Sequence, residues 1–449
     1  MRSLLRDSRQ LATLAVPLAL TQLAQVALTT TDTVMMGLLG TQALAAGGLA
    51  IALFNLIRTM GVGLVTAVAN QVAAALPTDR EEVRDLVRAA LAIATVAGLG
   101  GAFLIAGIGQ VLPWLGQDPG VVALARPMLV ALAPGLLPCL WFQAIRQYTV
   151  GMRRPQALLG ITVASIAVNG ALNWAFIHGL WWFPELGLAG IGISTSTVYA
   201  ASFLALYGAV RRDSELRPML SLRGWLARPA TLRRLLRLGV PVAATYGSEA
   251  GFFSVVALLM GTFGAAALAA HTAVNQLVYL VFQASVGLSH AASVTVSGEV
   301  ARGRLAGATQ TARAAVASGF VVMAAVGIAY VTAPELLLRP FTEPGSAVLS
   351  VGVPLLAVAA VLQFADCAQN LGVGLLRGLD DTAGGFRVTL VGYWLVGLPA
   401  AWLLGLVAGV GPVGVWIGLL VGLATTAVLL FRRFAVSLRA REPVAAAAG

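Results

Sequence analysis

The 449-residue chain contains no lysine, and all 29 of its basic residues are arginine. Charge of either sign is scarce: Asp, Glu and Arg together make up 10% of the residues, against about 25% in an ordinary soluble domain. Water is therefore not the solvent for most of this surface. There are two cysteines, Cys139 and Cys367, each inside an apolar run without metal-ligand spacing. They read as small hydrophobes, and no disulfide framework is indicated. The three histidines form no H-E-x-x-H pair, and G-x-S-x-G and Walker-type phosphate loops are missing. Those gaps argue against an intramembrane protease or acyltransferase and against direct use of ATP, so the chain is not expected to be an enzyme or to carry a cofactor.

What is abundant is apolar sequence: 59% of residues are hydrophobic and the mean hydropathy is +0.87. A hydrocarbon layer of ~30 Å takes roughly 20 apolar residues per helix, and its lack of hydrogen-bonding partners leaves only helices or closed barrels as spanning structures. The apolar runs are long and continuous, without the alternation of a barrel strand. The chain is expected to be an all-α polytopic membrane protein with twelve transmembrane helices. Spans are expected at residues 11–36, 44–74, 89–112, 123–147, 157–180 and 187–210, then 235–260, 266–298, 313–336, 347–376, 386–408 and 413–435. The first run, from Leu11, lacks a signal-peptidase site and reads as a retained span.

Arginine placement orients the spans. With the N-terminus inside, every arginine except Arg58, Arg126 and Arg339 falls on cytoplasmic segments, eight of them in the central stretch from Arg211 to Arg237. Both termini are then cytoplasmic. The net charge of +11 is spread between apolar segments rather than gathered on one patch, so no nucleic-acid partner is expected.

The chain also repeats itself. At an offset of 224, Pro17 meets Pro241, Gly37 meets Gly261, Gly40 meets Gly264, Gly63 meets Gly287, and Gly187 and Gly190 meet Gly411 and Gly414. Each half holds six spans, so the halves share orientation as a parallel pseudo-two-fold repeat. Such repeats put a substrate site near the bilayer midplane, between lobes that rock. The expected organisation is an N-terminal lobe at 1–210, an Arg-rich cytoplasmic linker at 211–233, and a C-terminal lobe at 234–449 ending in a cytoplasmic tail.

All but three of the 18 acids lie in loops, tails or span ends; the exceptions are Asp32, Glu249 and Asp366. A carboxylate at the centre of a spanning helix costs ~2.5–3.5 kcal/mol on insertion scales, so function is the default reading. The alternative is a structural ion pair or a polar clasp between helices. Glu249 and Asp366 belong to the second half, where their first-half counterparts read as Gln25 and Gln143. Two carboxylates in one dry lobe do not readily both ionise, so one should keep its proton or hold a metal ion. In the first half, Asn169 and Asn173 are one turn apart on span 5, and Thr195 on span 6 is placed to join them beside Asp32. Helix-to-helix hydrogen bonding explains the amides alone equally well. Arg58, the one mid-span cation, needs a partner, and Asp32 is the nearest candidate.

Other polar and aromatic residues carry less. His271 reads as a satisfied polar residue at a helix end, with titration near neutral pH as the alternative. Trp114, Trp181, Trp182 and Phe183 read as interfacial anchors. Phe252, Phe253, Tyr279 and Phe282 flank Glu249, where a cavity would suit flat lipophilic cations, although helical aromatics usually just pack.

Several segments together resemble the multidrug and toxic compound extrusion (MATE) transporters, in particular their NorM-like branch. They are TTTDTVMMGLLG around Asp32, NGALNWAFIHGLWWFPELGLAGIGIST in spans 5 and 6, SEAGFFSVVALLMGTFG then AAHTAVNQ in spans 7 and 8, FADCAQNLGVGLLRGLDDT in span 10, and YWLVGLPAAWLLG in span 11. The resemblance covers nearly the whole chain. It implies a two-lobed antiporter that expels cationic or amphiphilic toxic compounds against inward Na⁺ or H⁺, acting as a monomer in the lipid bilayer. Carried over by residue, it implies a second-lobe cation site at Glu249 and Asp366, where Na⁺ is the candidate metal, and a first-lobe site at Asp32, Asn169, Asn173 and Thr195. One position departs from the pattern. The family's Tyr one turn before the span 10 acid is Leu362 here, which removes an oxygen ligand. Asn173 stands where a proton-coupled sister branch has Asp. The nearest rival, a lipid-linked oligosaccharide flippase of the same superfamily, would want several cavity cations to hold a pyrophosphate, and Arg58 stands alone.

Overall fold

A computed structural model describes residues 2–77, 79–115, 119–180, 183–341 and 345–441. Among them are twelve helices long and apolar enough to cross a membrane. The shortest, Ala157–His178, has 22 residues, about 33 Å at 1.5 Å per residue, which already spans a ~30 Å core. We number the spanning helices α1 (Arg2–Leu38), α2 (Thr41–Thr66, continued by Val68–Ala75), α3 (Arg80–Val111), α4 (Pro119–Leu132 and Leu136–Gly151, joined by a 3₁₀ turn), α5 (Gln156–His178) and α6 (Gly187–Arg212). The second set comprises α7 (Pro229–Gly261), α8 (Ala265–Ala301), α9 (Leu305–Thr332), α10 (Ala347–Gly378), α11 (Thr382–Leu390 through Leu403–Val407) and α12 (Pro412–Arg439). All twelve expected spans are present. Large side chains such as Phe103 and Leu258, 78% and 74% exposed, make sense only if lipid covers them.

The chain divides into two compact units, one of Leu20–Ala243 and one of Ala244–Gly449 together with Met1–Ala19. Helices α1 and α7 each pass through a boundary, two residues beyond Pro17 and Pro241. A proline inside a helix removes one backbone hydrogen bond, so both helices carry their weakest point there.

Inside the second unit, α8 and α10 pack through small residues, the geometry that lets membrane helices approach closely. A side chain at Gly378 would strike the Ser293 carbonyl and Val296. The apolar core of this unit gathers Phe252, Val256, Met260, Leu355, Leu356, Tyr393, Trp416 and Leu419. His271 is buried there, edge-on to Trp416 at 5.7 Å, and its Nδ1 has no partner among the described residues, so it is not the satisfied helix-end residue expected.

In the first unit, the stretch after α6 is strapped down rather than loose. Tyr148 donates to the Leu216 carbonyl (2.7 Å), Arg84 to the Pro218 carbonyl (2.6 Å) and Arg88 to Ser221 Oγ (3.1 Å). Arg154 pairs with Asp213 at 3.0 Å and Arg234 with Glu82 at 2.7 Å.

The repeat is written in the backbone. Gly40 and Gly264 precede α2 and α8 with φ of 104° and 98°, values that L side chains rarely adopt, and Gly187 and Gly411 start α6 and α12 with φ of 52° and 73°. Both pairs keep the offset of 224. The ends of α4 and α10 do not: Gly151 matches Gly378, and each is followed two residues on by a non-glycine with positive φ, Arg153 and Asp380. The local offset is 227, so the repeat carries a three-residue shift there. The counterpart of Asp366 is therefore Cys139, rather than the expected Gln143 or the Phe142 that a strict offset of 224 gives.

Candidate functional site

The acids expected from the sequence sit in two separate clusters, one in each unit. In the first, α1 carries Asp32, α5 carries Asn169 and Asn173 one turn apart, and α6 carries Thr195. All four are buried: Asp32 is 3% exposed and Asn173 is fully covered. Asn173 Nδ2 donates to Asp32 Oδ1 at 2.8 Å and to Asn169 Oδ1 at 3.1 Å. The Thr195 hydroxyl donates to Asp32 Oδ2 at 3.0 Å, and Asn169 Nδ2 reaches Thr195 Oγ1 at 3.5 Å. Asn173 Oδ1 has no partner among the described residues. A buried acceptor left open costs ~1–3 kcal/mol, and here it lies on the amide that holds the carboxylate.

That arithmetic defines what the cluster can do. Ionised Asp32 is an acceptor and is met by two donors. Protonated Asp32 needs an acceptor, and Asn173 Oδ1 is free to be one after the amide turns. A small hard cation would likewise find the carboxylate and carbonyl oxygens it prefers.

Arg58 does not take the neighbours expected of it. Its Nε donates to Asn55 Oδ1 at 3.1 Å, and its charge acts on the buried Cys139 thiol. Both oxygens of Asp32 are engaged by Asn173 and Thr195. Tyr199, stacked on Phe54 at 6.0 Å, lies within the fields of both Arg58 and Asp32. Since Cys139 is the repeat counterpart of Asp366, the first unit keeps a fixed cation beside the position where the second keeps an acid.

The second cluster joins α7, α10 and α11. Glu249 and Asp366 are close enough for their charges to act on each other. Asp366 is 6% exposed and its Oδ1 accepts from Gln369 Nε2 at 3.2 Å. Gln369 Oε1 in turn accepts from the Tyr393 hydroxyl at 2.9 Å, and Tyr393 also feels both acids. Tyr393 stacks on Phe252 at 5.0 Å, and the adjacent Trp394 donates to Ser248 Oγ at 2.8 Å. Among the described residues no group of three or more His, Cys, Asp or Glu gathers. A cation at Glu249 and Asp366 would complete its shell with amide, hydroxyl and water oxygens.

Gln369 and Tyr393 are absent from the sequence-derived set. Gln369 is one turn from Asp366 and was findable by spacing. Tyr393 depends on a π-helical segment, Val391–Gly397, that brings Tyr393 and Trp394 to the acids and their flank. Its hydroxyl stands in the cluster although Leu362, buried at the expected tyrosine position, offers none. Of the aromatics expected around a cavity, Phe252 is wholly buried by packing, while Tyr279 is exposed and stacks on Phe282 at 6.2 Å. Trp114 is exposed as an anchor would be, and Phe183 packs edge-on against Phe176 at 5.0 Å. Trp181 and Trp182 lie outside the described residues.

A twelve-span, all-helical chain with a buried carboxylate cluster in each half defines the class, a polytopic membrane transporter fold. Its family follows from comparison: the MatE family model matches residues 17–175 and 241–403, and the chain belongs to that family. It is 38% identical over 436 residues to a probable multidrug resistance protein NorM of Bradyrhizobium diazoefficiens, covering 94% of this chain and 91% of that protein. It is likewise 38% identical to a probable multidrug resistance protein NorM of Pseudomonas aeruginosa over 428 residues, covering 94% and 88%. The fold matches a crystal structure of MATE in the bent conformation with a TM-score of 0.90 at 18% identity, over 99% of this chain and 98% of that one. It also matches the outward-facing conformation of a multidrug resistance MATE family transporter of the MOP superfamily, with a TM-score of 0.89 at 18% identity over 98% of each.

Proposed function

We propose that the protein is a secondary active multidrug antiporter. It exports cationic or amphiphilic toxic compounds by alternating access, in exchange for Na⁺ or H⁺ entering down its gradient. It acts from a bacterial inner membrane with both termini cytoplasmic. The observation that carries ion coupling is the pair of acid clusters inside apolar spans, each with a carboxylate held by neutral amide or hydroxyl groups. Relatives named as multidrug resistance proteins support the substrate class, and the arginine distribution supports the orientation.

In this reading Asp32, Asn169, Asn173 and Thr195 form one cation or proton site, and Glu249 and Asp366, backed by Gln369 and Tyr393, form the other. An ion entering either site neutralises a carboxylate that would otherwise attract the cationic drug, so ion and drug disfavour each other's occupancy. A negative coupling of a few kcal/mol between the two is enough. Moving one charge inward through 100 mV supplies ~2.3 kcal/mol, about 50-fold of drug accumulation at RT ≈ 0.59 kcal/mol.

The test is efflux of a fluorescent cationic dye from proteoliposomes in which Na⁺ and H⁺ gradients are imposed separately. Efflux that follows one or both gradients supports the antiporter. Efflux that ignores both and requires ATP overturns it.

A further inference from the structure

We propose that the α7 entrance of the first unit is a binding site for an anionic phospholipid of the membrane leaflet on its arginine-rich side. Pro229, Leu232, Leu236 and Val240 lie along one open, shallow surface together with Arg233 and Arg237. These residues recur at three- and four-residue steps, so they form one stripe along the helix. The stripe is uncovered: Leu236 is 41% and Val240 52% exposed. Arg233 and Arg237 stand one turn apart at its rim, both exposed.

The neighbouring arginine shows that this outward position is selective. Arg234, next along the chain, pairs with Glu82 at 2.7 Å, and the Arg228 backbone N–H is held by Asp85 at 3.1 Å. Among the described residues neither Arg233 nor Arg237 forms an ion pair, so their charge is offered outward. Just before the helix, Trp225 is 79% exposed on the strapped-down segment after α6, in the manner of an interfacial aromatic anchor. A phosphate between two guanidiniums, with an acyl chain along Leu232, Leu236 and Val240, satisfies both halves of this surface. A neutral ligand would leave the arginines unmatched, and a free anion would leave the apolar stripe bare. The side of the membrane follows from the orientation proposed above, whereas the binding itself does not depend on transport.

The experiment uses the full chain in detergent micelles. Retention of phosphatidylglycerol is compared with that of phosphatidylcholine of the same acyl chains, by native mass spectrometry. The unsubstituted protein should prefer phosphatidylglycerol, and Arg233→Gln with Arg237→Gln should reduce that preference by about thirtyfold, at ~1 kcal/mol for each arginine near an anionic surface. Arg234→Gln should leave it unchanged. The proposal is overturned if the double variant keeps its preference, if Arg234→Gln lowers it as much, or if inorganic phosphate displaces the lipid at equal concentration. A chain that binds the lipid but fails to move drug would contradict the antiporter reading and leave this one standing.

Discussion

Asn173 is the residue on which the first acid cluster turns. One amide nitrogen serves both Asp32 and Asn169, while its carbonyl oxygen has no partner among the described residues. Asn173→Leu keeps the volume and removes the donor. Cells carrying it should lose at least tenfold of drug resistance with membrane levels unchanged, as measured by growth inhibition and immunoblot. Asn173→Asp should behave differently. A second carboxylate within about 3 Å of Asp32 requires a shared proton, so its dye efflux should become steeply dependent on external pH; a flat profile would contradict the geometry. In the second cluster, Tyr393→Phe keeps the ring on Phe252 and deletes one hydrogen bond to Gln369. A net hydrogen bond contributes ~0.5–1.5 kcal/mol, so efflux should fall a few-fold rather than vanish. At this scale the sequence was a good guide wherever cost drives position. Asp32, Glu249 and Asp366 stood out because lipid penalises them, and Asn169, Asn173 and Thr195 because spacing puts them together. Arg58 was misassigned because depth along the chain is a poor substitute for contact. Asn55, three residues earlier and thus on the same helix face, was the better clue.

At the scale of elements, α11 is the one whose local geometry could not be read in advance. Its apolar run reads as an ordinary span, yet Val391–Gly397 and Leu403–Val407 are wound as π-helix. Such segments are rare and frequently occur at functional sites. This one is possible because small residues let α12 lie close. A side chain at Gly392 would collide with Thr426 and come within 3.1 Å of the Gly422 carbonyl, and one at Gly397 would come within 3.1 Å of Gly422. Gly392→Val should therefore cost ~1–3 kcal/mol by overpacking and lower the thermal midpoint in detergent. Gly100→Ala makes a suitable contrast. Nothing lies within 4 Å of a side chain there, and replacing a mid-helix glycine gains up to ~1 kcal/mol, so its midpoint should hold or rise. Removing one residue between Val391 and Gly397 should close the π turn and displace Tyr393 from Gln369. Loss of efflux with normal membrane levels is the expected result.

For the whole molecule, long apolar runs and arginine placement made the twelve spans and the even count legible, because both follow from the solvent rather than from particular contacts. The repeat was visible through glycine and proline at a fixed offset. Its three-residue shift was not, since apolar helices align with themselves at any register and the turns after Gly151 and Gly378 are what reveal it. That shift changes the comparison of the halves: the second half holds an acid pair, while the first sets Arg58 against Cys139 at the matching position. Ion coupling through the acid pair is the claim on which the rest stands. Its most direct test is dye efflux from proteoliposomes holding the chain with Glu249→Gln and Asp366→Asn together, under simultaneous inward Na⁺ and H⁺ gradients. Gradient-driven efflux should be abolished while dye still binds. Undiminished efflux from the doubly neutral protein would contradict it.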